Sequence, residues 1–213
     1  MLSVLVTNTK GGCGKTTVAT GLAGAFANAS FKTVLADCDK QRSGLEWVAR
    51  RPETVPAIRA LDWVKDISHL PAKTQRLIID APAALRRKQV EELVRMADII
   101  VLPVLPSVFD EITTRRFLTL LDKLKPVRKG KRAVTVVGNR VRARTKSAER
   151  LDEFLEVVGY RAVARLRDSQ LYPAAASAGL SLFDMGTQRA RNFLQDWRPL
   201  LEYIDKTTSD FER

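Results

Sequence analysis

The residues with the clearest chemical potential form a run of eight near the start of the chain, which reads KGGCGKTT from Lys10 to Thr17. The run follows the apolar segment 2–6 and precedes an alanine-rich stretch of helical character. A glycine-rich loop between a strand and a helix binds phosphate through its backbone N–H groups, while a lysine reaches the terminal phosphates and a hydroxyl binds Mg²⁺. Lys15 and Thr16 suit the last two roles, so the run predicts a phosphate-binding loop.

This loop departs from the common pattern G-x-x-x-x-G-K-[ST] at its start. Thr9 replaces the first glycine, and Lys10 adds a second cation next to the phosphates. Because Lys15 already serves the nucleotide of its own loop, Lys10 indicates a second nucleotide that is held by a partner subunit. The residues that we expect to contact nucleotide in this segment are Lys10, Gly11, Gly12, Cys13, Gly14, Lys15, Thr16 and Thr17.

Acidic residues end two further predicted strands. The second strand ends at Asp37, with Asp39 two residues later, and the fourth ends at Asp80, followed by Ala81 and Pro82. The carboxyl ends of parallel strands form the ligand edge of an open α/β sheet. One acid of the first pair would orient the Mg²⁺ shell and the other the attacking water, while Asp80 would hold the water ligands of the metal. Pro82 would lead the chain into a loop that senses the terminal phosphate.

A parallel sheet is needed to bring these segments to one edge. Short apolar runs alternate with longer amphipathic ones, which predicts an α/β fold with a mostly parallel, twisted sheet of about seven or eight strands and helices on both faces. Strands are expected at 2–7, 33–37, 57–61, 76–80, 99–104, 133–139 and 162–166. Helices are expected at 15–28, 44–50, 87–96, 107–124, 145–158, 170–178 and from about 187.

The length of 213 residues suits one α/β domain and is short for two. We expect a single domain over 1–213, with a core over about 1–186 and a C-terminal helix over about 187–206. That helix carries an apolar face, and Pro199 is expected to kink or interrupt it. The apolar residues of the face are Phe193, Leu194, Trp197, Leu200, Leu201 and Ile204.

The composition is that of an ordinary globular protein, with 45% hydrophobic and 28% charged residues. No apolar stretch approaches the roughly 20 residues that span a bilayer. The first strand starts directly after Met1, so we expect no signal peptide and a cytoplasmic protein. Two cysteines, Cys13 and Cys38, are too few for a disulfide framework.

The charge balance favours a polyanionic partner. The chain has 36 Lys and Arg against 24 Asp and Glu, a formal net charge of +12, and a sequence pI near 10.1. The densest basic stretch contains Arg128, Lys129, Lys131, Arg132, Arg140, Arg142, Arg144, Lys146 and Arg150. It lacks aromatic residues, which favours contacts with the phosphates of duplex DNA over base stacking. Further basic residues that would extend it are Arg86, Arg87, Lys88, Arg189 and Arg191.

Taken together, the motifs resemble those of the ParA/MinD family of deviant P-loop ATPases, and most of all the small ParA-type partition ATPases. The matching segments are KGGCGKTT at 10–17, DCD at 37–39 with Gln41, IIDAP at 78–82, LPVLPS at 102–107 and NRV at 139–141. The resemblance implies an ATP-sandwich dimer in which Lys10 contacts the phosphates of the other subunit. It also implies that Asp39 supports hydrolysis and that Asn139 contacts adenine.

Two departures from the family pattern are visible. The family commonly has proline and glycine on either side of the glutamine after its DxD motif, whereas this chain has Lys40 and Arg42. We therefore expect the loop to differ in stiffness and charge. There is also no extension before the first strand, so the helix-turn-helix domain of larger ParA proteins and sequence-specific operator binding are not expected.

These observations predict an ATPase that uses ATP and Mg²⁺, with Lys10, Lys15 and Asp39 in catalysis and Thr16, Asp37 and Asp80 at the metal. We expect a homodimer on ATP that binds DNA non-specifically at the nucleoid, a ParB-like or other activating partner, and no membrane association. The cargo is open between a plasmid, a chromosome and a protein assembly.

Two alternatives are a MinD-like membrane switch and a metabolic P-loop enzyme. The first needs a basic amphipathic terminal helix, which the tail 205–213 does not favour. In the iron-protein branch cysteines hold a cluster between subunits, whereas both cysteines here lie by the phosphate loop.

Overall fold

Seven parallel strands form one sheet in the computed structural model, which describes residues 1–211. The strand order is β3-β2-β4-β1-β5-β6-β7, and every neighbouring pair is parallel, so the predicted fold class is confirmed. The strands are β1 Leu2–Val6, β2 Thr33–Asp37, β3 Arg59–Asp62, β4 Arg76–Asp80, β5 Ile99–Val104, β6 Ala133–Val141 and β7 Ala162–Arg167.

Helices cover both faces of the sheet, because the central strands are apolar on both sides and must be buried on both. The helices are α1 Lys15–Asn28, α2 Ser43–Ala49, α3 Arg87–Met96, α4 Val108–Lys123, α5 Lys125–Arg128, α6 Lys146–Val157, α7 Leu171–Ser177 and α8 Gln188–Phe211. A 3₁₀ turn at Leu182–Asp184 precedes α8. No helix in this described part is long and apolar enough to cross a membrane.

Two hydrophobic clusters hold these layers together, one on each face of the sheet. One cluster joins the strands to α3, α4 and α6, and the other joins them to α1, α2 and α8. In the second cluster Gly21 of α1 lies against the ring of Trp197, and a Cβ at this glycine would come within 2.2 Å of that ring. The glycine at position 21 therefore allows α1 and α8 to pack closely.

The structure corrects three expectations about the elements. The third strand covers Arg59–Asp62 rather than 57–61, and a separate short helix, α5, follows α4. The sequence predicts that Pro199 kinks or interrupts the final helix. The helix continues through Pro199 to Phe211, so it is not interrupted, and the kink stays a prediction. Trp197 and Leu200, on either side of the proline, are fully buried, and this packing outweighs the loss of one backbone hydrogen bond.

The order of the strands places the candidate site. β1 lies between β4 and β5, and the chain first runs outward from β1 through β2 and β3 before it crosses to the other half of the sheet. The register pairs Val6 with Asp80, and Asp37 with both Asp80 and Asp62. The ends of β1, β2 and β4 therefore meet at one edge, where ligands bind in open α/β sheets.

Candidate functional site: a phosphate-binding loop and its acidic partners

The loop that follows β1 presents a series of free backbone N–H groups. The N–H groups of residues 11, 12, 14, 16 and 17 have no hydrogen-bond acceptor within residues 1–211, whereas those of Cys13 and Lys15 interact with the Cys13 thiol. The first helical bond runs from Val18 N–H to the carbonyl of Gly14 at 3.0 Å. Gly12 and Gly14 adopt left-handed φ angles of 75° and 92°, which glycine tolerates best. The first turn of α1 carries no acidic residue. The loop and helix N-terminus therefore have the geometry that suits an anion, and phosphate binding here stays a prediction.

The two lysines of the loop have different environments. Lys15 is buried, and its Nζ donates to the carbonyl oxygen of Lys10 at 3.1 Å. The Sγ of Cys13 lies 3.2 Å from that same oxygen. Lys10 is half-buried, and its N–H donates to Oδ1 of Asn8 at 3.2 Å. The main chain of Lys10 thus closes the loop, while its side chain is not used inside it.

Asn139 supports the loop through a hydrogen bond to its main chain. The sequence alone did not indicate this contact of Asn139. Its Nδ2 donates to the carbonyl oxygen of Cys13 at 2.8 Å, and its Oδ1 accepts from the N–H of Arg140. A Cβ on Gly14 would come within 2.1 Å of this Nδ2, so a glycine is needed for the approach. The adenine contact expected of Asn139 stays a prediction.

A cavity of about 270 Å³ lies beside Asn139 at the ends of β6 and β7. It is lined by Thr17 of the loop helix and by the segment that enters α7. The cavity begins where the loop residues end, which suits the base and ribose of a nucleotide whose phosphates lie on the loop. Its other lining residues are Arg140, Asp168, Ser169, Gln170, Tyr172, Pro173 and Ala176.

Asp80 is a buried carboxylate at the end of β4. It is 1% exposed, and neither of its oxygens has a partner in the described part of the chain. Burial, and to a lesser extent the charges of Asp37 and Asp39, raise the pKa of Asp80 to about 7, although the Thr16 hydroxyl and the Lys15 ammonium act in the opposite direction. A buried acid with unused oxygens beside a hydroxyl indicates a site that a cation completes.

These residues fit Mg²⁺ bound together with a nucleotide. Thr16 and Asp80 supply oxygen atoms, which Mg²⁺ prefers, and the described chain contains no cluster of three or more Asp, Glu, His and Cys that would hold a metal alone. Phosphate oxygens and water are therefore needed to complete the shell. Thr16 as ligand and Asp80 as holder of ligand water remain predictions with this geometric support.

The two acids after β2 differ in what they contact. Asp37 is fully buried; its Oδ1 accepts from the N–H of Asp39 at 2.9 Å, and its Oδ2 from Gly44 at 2.8 Å and Leu45 at 3.2 Å. Asp39 is half-buried, and its Oδ1 accepts from the N–H of Gln41 at 3.0 Å. Asp37 thus organises the loop that carries Asp39, and its expected role at the metal stays a prediction.

The raised pKa of Asp80 makes the stability of the nucleotide-free, magnesium-free protein depend on pH. Above about pH 4 the unfolded carboxyl ionises, whereas in the folded protein Asp80 keeps its proton up to about pH 7. The folded state then binds more protons than the unfolded state, so stability falls as pH rises through this window, by up to about 1.4 kcal/mol per pH unit. We expect Asp80→Asn to lack this slope in urea unfolding measured between about pH 5 and 7. Parallel curves for parent and variant would contradict the assignment.

Asp110, in the first turn of α4, is a site residue that sequence reasoning missed. It is 2% exposed, and its Oδ1 has no hydrogen-bond partner among the described residues. Burial raises the pKa of Asp110, and the positive charge of Lys10 opposes this rise. An aspartate at the start of a helix is normally explained by the helix dipole, so its sequence context did not reveal the proximity of Lys10.

Exposed apolar side chains lie on both sides of Asp110 in the first turns of α4. Phe109 is 76% exposed, and Val108 and Ile112 are also exposed. Three of the six large apolar side chains exposed in the described chain therefore lie within two turns of α4, next to Asp110 and the two-lysine loop. Such a concentration marks an interaction surface better than isolated exposed residues do.

The basic stretch 128–150 does not form one surface. Strand β6 spans nine residues in its middle, which at about 3.3 Å per residue separates the two halves by about 26 Å. Three of its arginines are also paired with acids: Arg132 with Asp98, Arg142 with Asp168 and Arg150 with Glu111. The basic stretch, although contiguous in the sequence, therefore forms two separate groups, and one of them lies at the nucleotide edge.

Comparison with known proteins agrees with this site. The family model described as CobQ/CobB/MinD/ParA nucleotide binding domain matches residues 4–182. The chain is 29% identical over 224 residues to Maintenance of carboxysome distribution protein A of Gloeobacter kilaueensis, with 95% of this chain and 94% of the relative covered. A relative of the same name from Halothiobacillus neapolitanus is 23% identical over 209 residues, with 95% of each chain covered.

A solved structure shows the same fold. It is a complex of ATP with a variant of McdA from Cyanothece, and it superposes on this chain with a TM-score of 0.71. The two sequences are 17% identical, and the match covers 98% of this chain and 96% of that one. The arrangement of strands and helices is therefore shared although few residues are.

Proposed function

Because the chain belongs to the CobQ/CobB/MinD/ParA family of nucleotide-binding domains and is an ATPase of the ParA/MinD type, we propose that it is a nucleotide-gated DNA-binding switch that positions a cargo. ATP joins two copies into a dimer, the dimer binds DNA without sequence preference, and hydrolysis releases both. The observation that carries the proposal is the second lysine, Lys10, whose side chain is not used inside its own loop.

The chain supplies positioning and charge for the reaction. The N–H groups of the loop and Lys15 hold the phosphates, and Thr16 and Asp80 orient the metal shell. Mg²⁺, when bound, neutralises charge on the phosphate oxygens. Asp39 orients the attacking water, and Lys10 of the second copy adds positive charge to the transferred phosphate.

We propose that the apolar residues at the start of α4 form part of the dimer face. They adjoin Asp110, where the charge of Lys10 opposes the rise in pKa that burial causes. In the proposed dimer, the second copy whose phosphates contact Lys10 therefore also covers these apolar residues. Phe109→Asp is expected to weaken the ATP-dependent dimer at least about tenfold in sedimentation experiments, because an introduced charge at a covered site must be desolvated.

The matched control for this substitution is Val157→Asp. Val157 is 72% exposed, and it lies at the end of α6. We expect it to dimerise like the parent, and equal behaviour of the two variants would contradict the assignment of the face.

The DNA-binding surface is assigned to the basic group at the nucleotide edge. Arg140, Arg144 and Lys146 lie at or just after the end of β6, are exposed and form no ion pair within the part of the chain that the structure describes. Arg167 at the end of β7 contacts α8 through the carbonyl of Asn192, which places the first turn of that helix at the same edge. Arg189 and Arg191 of this turn are exposed and extend the group.

Charge reversal at each end of β6 tests this assignment. The double variant Arg144→Glu, Lys146→Glu is expected to weaken DNA binding in the ATP state by at least about tenfold and to reduce its salt dependence. The control Lys129→Glu, Lys131→Glu changes the same net charge at the opposite end of the strand, and we expect at most a small effect. A larger loss in the control would move the DNA surface to that end.

Nucleotide dependence tests the switch itself. DNA binding is measured by anisotropy of a labelled duplex with ATP, with ADP and without nucleotide, at one fixed salt concentration. Tight binding with ATP alone supports the proposal. Equal binding in all three states contradicts the switch and leaves the nucleotide site in place.

We propose a large protein assembly as the class of cargo. The support is that both curated relatives that cover 95% of this chain are named for carboxysome distribution. Disruption of the gene should cluster such assemblies in light microscopy while plasmids are retained normally. Plasmid loss with normally spaced assemblies would favour a DNA cargo instead.

A further inference from the structure

Arg42 occupies a backbone conformation that its residue type disfavours. Its φ is 52° and its ψ 29°, in the left-handed region where a side chain is strained and glycine is not. It ends the segment Asp39–Arg42, a turn in which the Arg42 N–H donates to the carbonyl of Asp39 at 2.9 Å. Arginine at a position suited to glycine indicates that the side chain has a use that offsets the strain.

The side chain of Arg42 fastens this turn to the edge of the sheet. Its Nε donates to Oδ2 of Asp62 at 2.9 Å, at the end of strand β3. Asp62 is itself fixed, since its Oδ1 accepts from the N–H of Val64 at 3.1 Å. Asp62 also pairs in register with Asp37, the residue that organises the start of the same loop. The turn is thus held at both ends, by Asp37 and by Arg42.

The turn carries the acid assigned to hydrolysis. The N–H of Gln41, next to Arg42, donates to Oδ1 of Asp39 and sets the direction of that carboxylate. Any movement of Arg42 away from Asp62 therefore moves the donor that orients Asp39. Even a small displacement of Asp39 matters, because a catalytic group must stay within about 0.5 Å of its productive position.

We propose that Arg42 is a positioning residue for ATP hydrolysis, which holds the turn that bears Asp39 through its ion pair with Asp62. The inference rests on the proposed role of Asp39. It also accounts for the departure of this chain from the glycine that the family commonly has. The adjacent Lys40 has no comparable contact among the described residues, and nothing in the structure explains it.

Steady-state ATPase kinetics of three variants test the proposal. Arg42→Ala and Asp62→Ala are each expected to lower kcat about three- to tenfold with KM changed less than about twofold, because loop position and not nucleotide binding is lost. Arg42→Gly should lower kcat by the same factor although it relieves the backbone strain and unfolds at the same or a higher temperature. Activity then falls without a loss of stability, which a purely structural role would not produce.

The chain offers a matched control ion pair. Arg165 and Asp152 have side chains 47% and 44% exposed, against 49% and 43% for Arg42 and Asp62, and they lie far from the loop on β7 and α6. Arg165→Ala should leave kcat unchanged. The exchange Arg42→Asp with Asp62→Arg should recover at least half of the parent kcat, since it rebuilds the pair in reverse.

A second readout needs no nucleotide. Hydrogen exchange of the Gln41 and Arg42 amides in the nucleotide-free protein should be faster in Arg42→Ala than in the parent and slower again in the exchanged pair. Parent values of kcat and of exchange in Arg42→Ala would overturn the proposal. If Asp39→Ala hydrolysed ATP like the parent, the assignment of Asp39 would fail instead, and the exchange rates would still report whether Arg42 holds the turn.

Discussion

Asp39→Ala is expected to lower the rate of ATP hydrolysis by a factor of about 10² to 10⁴ while ATP still binds. The carboxylate lies at the ligand edge, half-buried, with one oxygen held by the N–H of Gln41 and the other without a partner among the described residues. In the proposed mechanism, removing it takes away the group that orients water, whereas the N–H groups of the loop at 10–17 stay in place. Single-turnover phosphate release and equilibrium binding of a fluorescent ATP analogue measure the two effects separately.

The same variant should accumulate as a DNA-bound dimer, because assembly needs ATP binding and release needs hydrolysis. Asp39→Asn is the isosteric control, since it keeps the shape and one hydrogen-bond acceptor but removes the charge. We expect it to be as inactive as alanine. Hydrolysis by both variants at the parent rate would remove Asp39 from the mechanism.

Lys10→Ala is expected to weaken the ATP-dependent dimer strongly while one copy still binds nucleotide. The loop stays closed in this variant, because its closure uses the carbonyl and the N–H of residue 10 and not its side chain. In a two-fold symmetric dimer both copies lose a charge-assisted contact with phosphate, and a buried contact of this kind contributes about 2–5 kcal/mol. The dissociation constant of the dimer should therefore rise at least about 100-fold.

Sedimentation velocity with ATP, carried out in an Asp39→Ala background to prevent turnover, measures this effect. Lys40→Ala is the matched control, because Lys40 is an exposed lysine in a loop at the same edge of the sheet. It should dimerise like the parent. A Lys10→Ala protein that dimerised with parent affinity would contradict the ATP sandwich and with it the gate on DNA binding.

Most of the fold could be predicted from the sequence, because its signals are local. Alternating apolar and amphipathic runs predicted all seven strands and the parallel sheet. The loop at 10–17 and the acids Asp37 and Asp80 at the strand ends were likewise visible, since the register of parallel strands brings consecutive strand ends together. Element boundaries were less secure, as the shifted third strand and the uninterrupted helix at Pro199 show.

Contacts between distant segments could not be predicted in this way. The loop support by Asn139 spans 126 positions, and the tie between Arg42 and Asp62 depends on an edge strand whose sequence predicts no partner. The charge of Lys10 on Asp110 is of the same kind. Each depends on side chains that meet only after the sheet has assembled.

The sequence by itself determined that this chain has a loop with two lysines that suits nucleotide phosphate, because residue types and spacing within eight positions suffice to predict that chemistry. Only the tertiary structure decided which charges act together. Strand β6 lies in the middle of the basic stretch 128–150 and separates its two halves. One half lies at the nucleotide edge and the other at the opposite end of the strand. The physical reason is that a strand advances about 3.3 Å per residue, so neighbours along the chain can end on opposite sides of the molecule.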